Sequence, residues 1–286
     1  MGLYDDVLLT VDFDRTMSAP DSSIPERNLK AVRFFMENGG AFTMNTGRTT
    51  NNFRKQMEII PVNAPFLLYN GSAAYHNGKL VNCVEIDLPM WDTLLEIHNA
   101  FPHMNLEIHG AENHYLVEPT PEYIRFYEAA GWSYRIAVPG SDVGPFLKFA
   151  VFGNPGNNSF ADLYTATPEE LAQFAEIEAF MRQRFGDKLE IFRPAPRILN
   201  VHAKGVSKIK AARRLQKELG KKILVCAGDA ENDIPMLDGA DYAFCPADGV
   251  VAERYPNVCC CAEGAVADVI YKKIPEILGF SLDNPE

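Results

Sequence analysis

An apolar, β-branched run from Val7 to Val11 stops abruptly at two aspartates, Asp12 and Asp14, separated by one aromatic residue, Phe13. Successive side chains of a strand point to opposite faces. An extended chain here therefore turns Asp12 and Asp14 the same way and Phe13 into the core. Two carboxylates crowded onto one face repel, and burying either one unpaired is costly. A divalent cation between them removes both difficulties. The carboxyl ends of strands in an open parallel sheet are also where ligands bind. The expectation is a strand that ends in a metal site.

The chain beyond Thr16 has the strand–helix rhythm of a doubly wound parallel sheet. A polar loop leads to a helix opened by Pro25 and stopped by Asn38-Gly39-Gly40, with Leu29, Val32, Arg33 and Met36 near helical spacing. A second strand is expected over 41–44, ending in Asn45-Thr46-Gly47-Arg48, and then a helix from about residue 50. A strand over 66–69 runs into Asn70-Gly71-Ser72, and a hairpin turns at Asn77-Gly78. Past residue 86 the pattern changes to helix, two strands, helix, strand, a long helix over 168–185, and two strands over 189–193 and 197–202. Its hairpin-like pairs predict an α+β domain inserted into the first. The sheet pattern then resumes with a helix from about Ser207, an apolar strand over 222–227, short strands over 242–245 and 258–261, and a last helix from about 264. The expected fold class is α/β: a doubly wound, Rossmann-like core over 1–85 and 200–286, with an α+β cap over 86–199. A length of 286 residues supports the division, being long for a single hydrophobic core.

Composition narrows the partners. The formal net charge of −11 argues against nucleic acid, which rewards basic surfaces. No apolar run reaches membrane-spanning length, and the acidic start from Met1 to Asp6 lacks the features of a signal peptide. A cytoplasmic location without a membrane partner is the expectation, and composition leaves monomer and homodimer open. An anionic substrate would have to be drawn by local cations against the global field. The six cysteines read as reduced thiols, and the consecutive Cys259, Cys260 and Cys261 as a short packed strand rather than metal ligands. Four histidines of the insert, His98, His103, His109 and His114, show no dense zinc-ligand spacing.

Three further signals sit at element ends. Gly228-Asp229 followed by Asn232-Asp233 comes after an apolar strand and before a short helix, and Asp229 adds a third strand-end carboxylate. Hard divalent ions take oxygen ligands, and Mg²⁺ uses few protein carboxylates. Asp12, Asp14 and Asp229 fit that demand, with Asn232 or Asp233 against the ion or one layer behind it. Lys208 lies in the first turn of its helix, where the macrodipole disfavours a cation, so an anion held there would explain its position. Lys204 and Lys210 compete for the role. Thr46-Gly47-Arg48 offers a hydroxyl, a freed N–H and a charge to a phosphoryl oxygen.

Taken in this order, these segments resemble the haloacid dehalogenase superfamily of phosphohydrolases, and most closely its Cof-type members, which insert a large α/β cap between the second and third motifs. Asp12-Phe13-Asp14-Arg15-Thr16 is similar to motif one, Thr46-Gly47-Arg48 to motif two, Gly205-Val206-Ser207-Lys208 to motif three, and Gly228-Asp229 through Asn232-Asp233 to motif four. Tyr69-Asn70-Gly71-Ser72 resembles the asparagine–glycine turn that these proteins place beside the site.

The resemblance implies a Mg²⁺-dependent phosphatase of small phosphorylated metabolites, such as a sugar phosphate or a phosphorylated cofactor. By the same resemblance Asp12 is the nucleophile that forms an aspartyl-phosphate, and Asp14 is the acid and then the base. Thr46 and Lys208 hold the phosphoryl group, with Gly47, Arg48, Asn70 and Asn232 beside it. Asp12, the Asp14 carbonyl and Asp229 hold Mg²⁺, with Asn232 and Asp233 close by. Two alternatives are a phosphomutase or phosphotransferase using the same intermediate, and a catalytically silent metabolite-binding protein. Two positions depart from the family pattern: Arg15 stands where glycine is usual, and Cys245-Pro246-Ala247-Asp248 replaces the usual glycine–asparagine–alanine. Specificity is expected from the cap, with Arg125, Arg135, Lys148, Arg193 and Arg197 as its candidate cations.

Overall fold

The computed structural model describes residues 2–154 and 165–282. The chain divides into two compact units, one formed by residues 1–48, 53–82 and 207–286 and the other by 49–52 and 83–206.

The first stretch runs β1 (Val7–Val11), α1 (Glu26–Glu37), β2 (Ala41–Met44), α2 (Thr50–Ile59), β3 (Phe66–Leu68), β4 (Ala73–His76) and β5 (Lys79–Cys83). All five residues of β1 are buried, as a strand covered on both faces of a parallel sheet requires. In α1 the buried stripe is Leu29, Val32 and Phe35, not the expected Arg33 and Met36. The helix stops where Gly39 takes a φ of 91°, and the Asn38 side chain donates to the Phe34 carbonyl at 2.9 Å.

The strand expected over 66–69 is a partial exception to the parallel rhythm. It meets the end of β2 through a single bridge, Asn45 to Leu67, and then pairs antiparallel with β4 in a small sheet of order β3-β4-β5. Tyr69 and Asn70, both at positive φ (55° and 56°), reverse the chain there and commit it to a hairpin.

The insert continues as α3 (Met90–Ala100), β6 (Asn105–His109), β7 (His114–Val117), α4 (Pro121–Ala129), β8 (Arg135–Ala137), β9 (Lys148–Phe152), α5 (Pro168–Phe185), β10 (Leu189–Ala195) and β11 (Ile198–Ala203). Its sheet has the order β10-β11-β9-β6-β7-β8 and is antiparallel except at β7 and β8. One face buries Ile108, Phe149 and Val201 against Leu94 and Ile97 of α3 and Phe174 and Ile177 of α5. On the other face Tyr123, Phe126 and Tyr127 of α4 pack on Leu116, Ala150 and Ile198. Helix α5 begins in a full capping box between Thr167 and Glu170 with Pro168 in its first turn. Strand β8 is an addition to the expected elements: it is three residues long and two of them are exposed, so it carries no alternation. The expected boundary at 199/200 cuts through β11, whose pairing with β9 and β10 carries this unit on to Val206.

The chain then returns to the first unit through α6 (Lys208–Glu218), β12 (Ile223–Ala227), α7 (Ile234–Asp238), β13 (Tyr242–Pro246), β14 (Asn257–Val258), α8 (Ala265–Asp268) and α9 (Ile274–Leu278). The core sheet has the order β14-β13-β12-β1-β2, every pair parallel. Leu8, Leu224 and Cys226 cluster with Ala211 and Leu215 of α6 and Met236 and Leu237 of α7. Helices α1 and α8 are tied by an Arg27–Asp268 ion pair at 2.8 Å. The cysteine run is not the expected strand: β14 ends at Val258, and Cys261 opens a turn in which its N–H and thiol donate to Asp248. All six cysteines are free thiols. Among the described residues no helix is long and apolar enough to cross a membrane.

Candidate active site

Because β1, β2 and β12 run parallel, their carboxyl ends bring Asp12, Thr46 and Asp229 to one edge of the core sheet. The Asp12 N–H still joins the ladder, donating to the Ala227 carbonyl at 2.9 Å. Beyond it the strand ends. Met17 and Ser18 donate back to the carbonyls of Asp12 and Phe13, closing a wide turn in which Arg15 has a φ of 54°. Asp12 and Asp14 are therefore not alternate positions of one strand, which corrects the expectation from alternation. Asp12 is buried, whereas the Asp14 side chain is 52% exposed. Phe13 is fully buried, as expected.

Lys208 opens α6, whose N-cap Ser207 accepts from the Lys210 N–H. Its ammonium is buried between two carboxylates, at 2.5 Å from Asp12 Oδ1 and 2.7 Å from Asp233 Oδ1. The anions that explain a lysine in this first turn are thus carboxylates of the protein itself. Burial works against its charge, but Asp12 and Asp233 outweigh it and hold the ammonium well above the ordinary lysine range. Lys204 is half exposed and bonded to Glu190, and Lys210 is exposed, so neither competes. Asn45, a residue that no sequence signal singles out, is fully buried and donates to the Lys208 carbonyl at 2.9 Å, fixing the start of α6.

Asp229 comes after β12 and accepts from the buried Thr16 hydroxyl at 3.2 Å. Asp233 has both oxygens committed: Oδ1 to Lys208, and Oδ2 to the N–H groups of Asp229 and Ala230 at 3.2 Å each. It shapes the loop and anchors the lysine. Gly228 makes this possible, since a Cβ there would lie 2.7 Å from Asp233 Cβ. Asn232 is exposed and makes no hydrogen bond among the described residues.

Asp12, Asp229 and Asp233 each offer an oxygen within 4.8 Å of the others, and all three are buried. Only one buried lysine faces this set among the described residues. Burial, and then the charge of Asp233, push Asp12 up to about 8 against the pull of Lys208. The same two causes push Asp229 up to about 6. A site short of positive charge and lined by hard oxygen donors fits a small divalent cation such as Mg²⁺. Below these values the carboxylates hold protons that a cation must expel, so apparent Mg²⁺ affinity should rise with pH across about 6 to 8 and level off above. Titration calorimetry in two buffers of different ionisation enthalpy should register proton release at pH 6.5 and little at pH 9. Release independent of pH would contradict the assignment.

The second edge of the site is built from β2. Thr46 is buried, its N–H bonded to Leu67 and its hydroxyl accepting from the Arg48 N–H at 3.2 Å. Asn70 lies beside Gly47, where a Cβ would meet Asn70 Oδ1 at 2.8 Å, and its N–H donates to the Thr46 carbonyl. Arg48 donates through Nε and Nη2 to Asp14 at 2.9 and 2.5 Å, with its guanidinium 4.7 Å from the Phe13 ring centre. The fold therefore gathers Asp12, Asp14, Thr46, Gly47, Arg48, Asn70, Lys208, Asp229 and Asp233, with Asn232 exposed next to Asp233 in the chain.

Arg15 keeps the left-handed backbone that its position demands, and its Nε is 4.0 Å from Asp229 Oδ2. It lends positive charge where a metal would. Arg15→Gly should tighten Mg²⁺ binding about three-fold, a figure typical of a half-exposed pair. The relief of backbone strain and the freer unfolded chain nearly cancel, leaving stability within about 0.5 kcal/mol of the parent. Calorimetry and urea melts read both. Asp248, in the loop that departs from the family pattern, is occupied by Cys261.

Comparison with known proteins bears on the family and the fold. A family model described as haloacid dehalogenase-like hydrolase matches residues 9–251. The chain is 22% identical over 289 residues to an uncharacterised hydrolase of Schizosaccharomyces pombe, covering 92% of this chain and 89% of the relative. A crystal structure from Thermotoga maritima superposes with a TM-score of 0.72 at 19% identity, covering 94% of this chain and 97% of that one. A subclass IIB sugar phosphatase of the same superfamily gives a TM-score of 0.69 at 17% identity, covering 95% and 98%. With the match spanning β1 to the loop after β13, the chain belongs to the haloacid dehalogenase-like hydrolases.

Proposed function

We propose that this hydrolase is a Mg²⁺-dependent phosphatase of a small phosphorylated metabolite, a sugar phosphate or a phosphorylated cofactor, working through an aspartyl-phosphate on Asp12. The observation that carries the reading is the state of Asp12. Lys208 binds its Oδ1, which orients the carboxylate and leaves Oδ2 to attack phosphorus. As that bond forms, the ester P–O bond breaks and the leaving oxygen takes a proton from Asp14. Water then attacks the phosphorus of the aspartyl-phosphate, giving its proton to Asp14, and Asp12 is released with inorganic phosphate. Asp14 is half exposed and reaches both leaving group and water, provided that Arg48 lets it go. Thr46, with the N–H beside Gly47, supports the phosphoryl oxygens, and Lys208 offsets charge on them.

Mg²⁺ would be held by Asp12 and Asp229, with Asp233 behind them, and when bound it supplies the positive charge that phosphoryl transfer demands. The likeness in fold to a sugar phosphatase supports the substrate class. The test is turnover of p-nitrophenyl phosphate with Mg²⁺ and with excess EDTA. Chelation should lower the rate by about 10³-fold or more, reversibly. Undiminished turnover in EDTA would refute the metal requirement, and phosphate recovered on added sugars instead of water would mark a transferase.

A further inference from the structure

The insert contains a second polar cluster that the proposed reaction does not use. Cross-strand register places His114 of β7 opposite His109 of β6, His109 opposite Lys148 of β9, and Lys148 opposite His202 of β11. Directly opposed residues share a face, so these four side chains form one row across four strands. The row ends on β10 at Glu190, which is engaged with Lys204 and the Gly205 N–H. It lies on the face covered by α4, because Glu107, two residues from His109, accepts from the hydroxyls of Tyr123 and Tyr127 at 2.5 and 2.6 Å. All four members are at least nine-tenths buried, Lys148 being 4% exposed.

We propose that this face of the cap is a binding site for a small oxyanion, a carboxylate or a phosphoryl group, centred on Lys148 and flanked by His109, His114 and His202. Lys148 brings a buried ammonium that has neither a hydrogen bond nor an ion pair among the described residues. Its one acidic neighbour, Glu107, attracts it across the row but makes no hydrogen bond to it, and its oxygens already accept from two tyrosines and from His109 Nε2 at 2.6 Å. The Nδ1 atoms of His109 and His114 are likewise buried without partners. His114 spends its other nitrogen on the Thr49 hydroxyl at 2.7 Å. Burial and the neighbouring Lys148 keep His109 and His202 neutral, well below the usual histidine range, and burial with His109 does the same for His114. The two Nδ1 atoms give up hydration without recovering it, a cost that folding alone does not reward, and the neighbouring ammonium has no hydrogen bond to hold it. An oxyanion restores the balance. It pairs with the ammonium and stabilises the imidazolium form of the adjacent histidines, turning the idle Nδ1 atoms into donors.

A zinc ion is the obvious rival, because Glu107, His109 and His114 offer atoms within 4.8 Å of one another. Three features oppose it. The two imidazoles are stacked at 4.3 Å with planes only 15° apart, so their in-plane lone pairs run side by side and do not converge. The Glu107 oxygens are occupied, and Lys148 repels a dication.

The test is NMR of the full chain labelled with ¹⁵N-histidine, titrated with malonate and separately with methylphosphonate. His76, His98 and His103 serve as internal references. Saturable shifts towards imidazolium at His109, His114 and His202, absent with neutral malonamide, support the site. The stronger of the two probes tells carboxylate from phosphoryl. Lys148→Met should weaken binding about ten-fold or more, whereas Lys148→Arg should retain part of it. Lys148→Met removes a buried charge whose burial outweighs the pull of Glu107 and should raise Tm, so its lost binding is not lost folding. Shifts of all six histidines together, unchanged affinity in Lys148→Met, or saturable Zn²⁺ binding at these histidines would overturn the proposal. The phosphatase reading stands apart, since it rests on turnover at Asp12 and not on these signals.

Discussion

Lys208→Met is expected to abolish turnover and to lower stability by about 3–5 kcal/mol at neutral pH, the range for removing one member of a buried ion cluster. The lysine is 4% exposed and touches Asp12 and Asp233 at once, so its loss strands carboxylates with no cation among them. They can answer only by taking up protons, which makes the penalty pH-dependent. Urea melts should show the variant closest to the parent near pH 5 and furthest from it near pH 8. Turnover should fall by about 10³-fold or more, since in the proposed reaction the same ammonium orients Asp12 for attack and offsets charge on the transferring group. Adding Asp233→Asn separates the two effects. The double variant removes one stranded charge and should recover part of the stability, but no activity. A single variant as stable as the parent would show that the buried triad has been misread.

Asp12→Asn should be the more damaging change to chemistry and the milder one to the fold. An amide oxygen still accepts from Lys208, but the amide is no nucleophile, so turnover should drop by about 10⁴-fold or more. Because burial and Asp233 hold Asp12 up to about 8, the ordinary carboxylate is disfavoured in the metal-free fold. Replacing it should raise the metal-free Tm above pH 6, the reverse of the Lys208 result. Steady-state kinetics and differential scanning calorimetry on the same samples read the two effects. An Asp12→Asn enzyme within ten-fold of the parent would exclude Asp12 as the attacking group.

Much of this is legible in the residues because each signal is local. The apolar run from Val7 to Val11 reads as a strand, and the long helix expected over 168–185 is found over those residues. Spacing alone picks out Gly228 with Asp233, although what the glycine does, admitting the Asp233 side chain at contact distance, needs coordinates. Other features depend on conformation beyond reach of a pattern. Strand alternation misplaces Asp14 because β1 ends before it and Arg15 then takes a left-handed backbone. Asn45 and the Arg48–Asp14 pair are set by how β2 ends, and nothing in their neighbours announces it. The cap row is the least visible. His109, His114, Lys148 and His202 meet through antiparallel register across four strands, which no local spacing encodes.

The most direct measurement is to find where phosphate sits during turnover. Acid-quenching the enzyme with substrate and Mg²⁺, reducing the trapped acyl-phosphate with borohydride and mapping peptides by mass spectrometry should convert residue 12, and no other aspartate, into homoserine. The conversion should vanish with EDTA and in Asp12→Asn. Homoserine at another position, or none at any aspartate while turnover proceeds, would contradict covalent catalysis by Asp12.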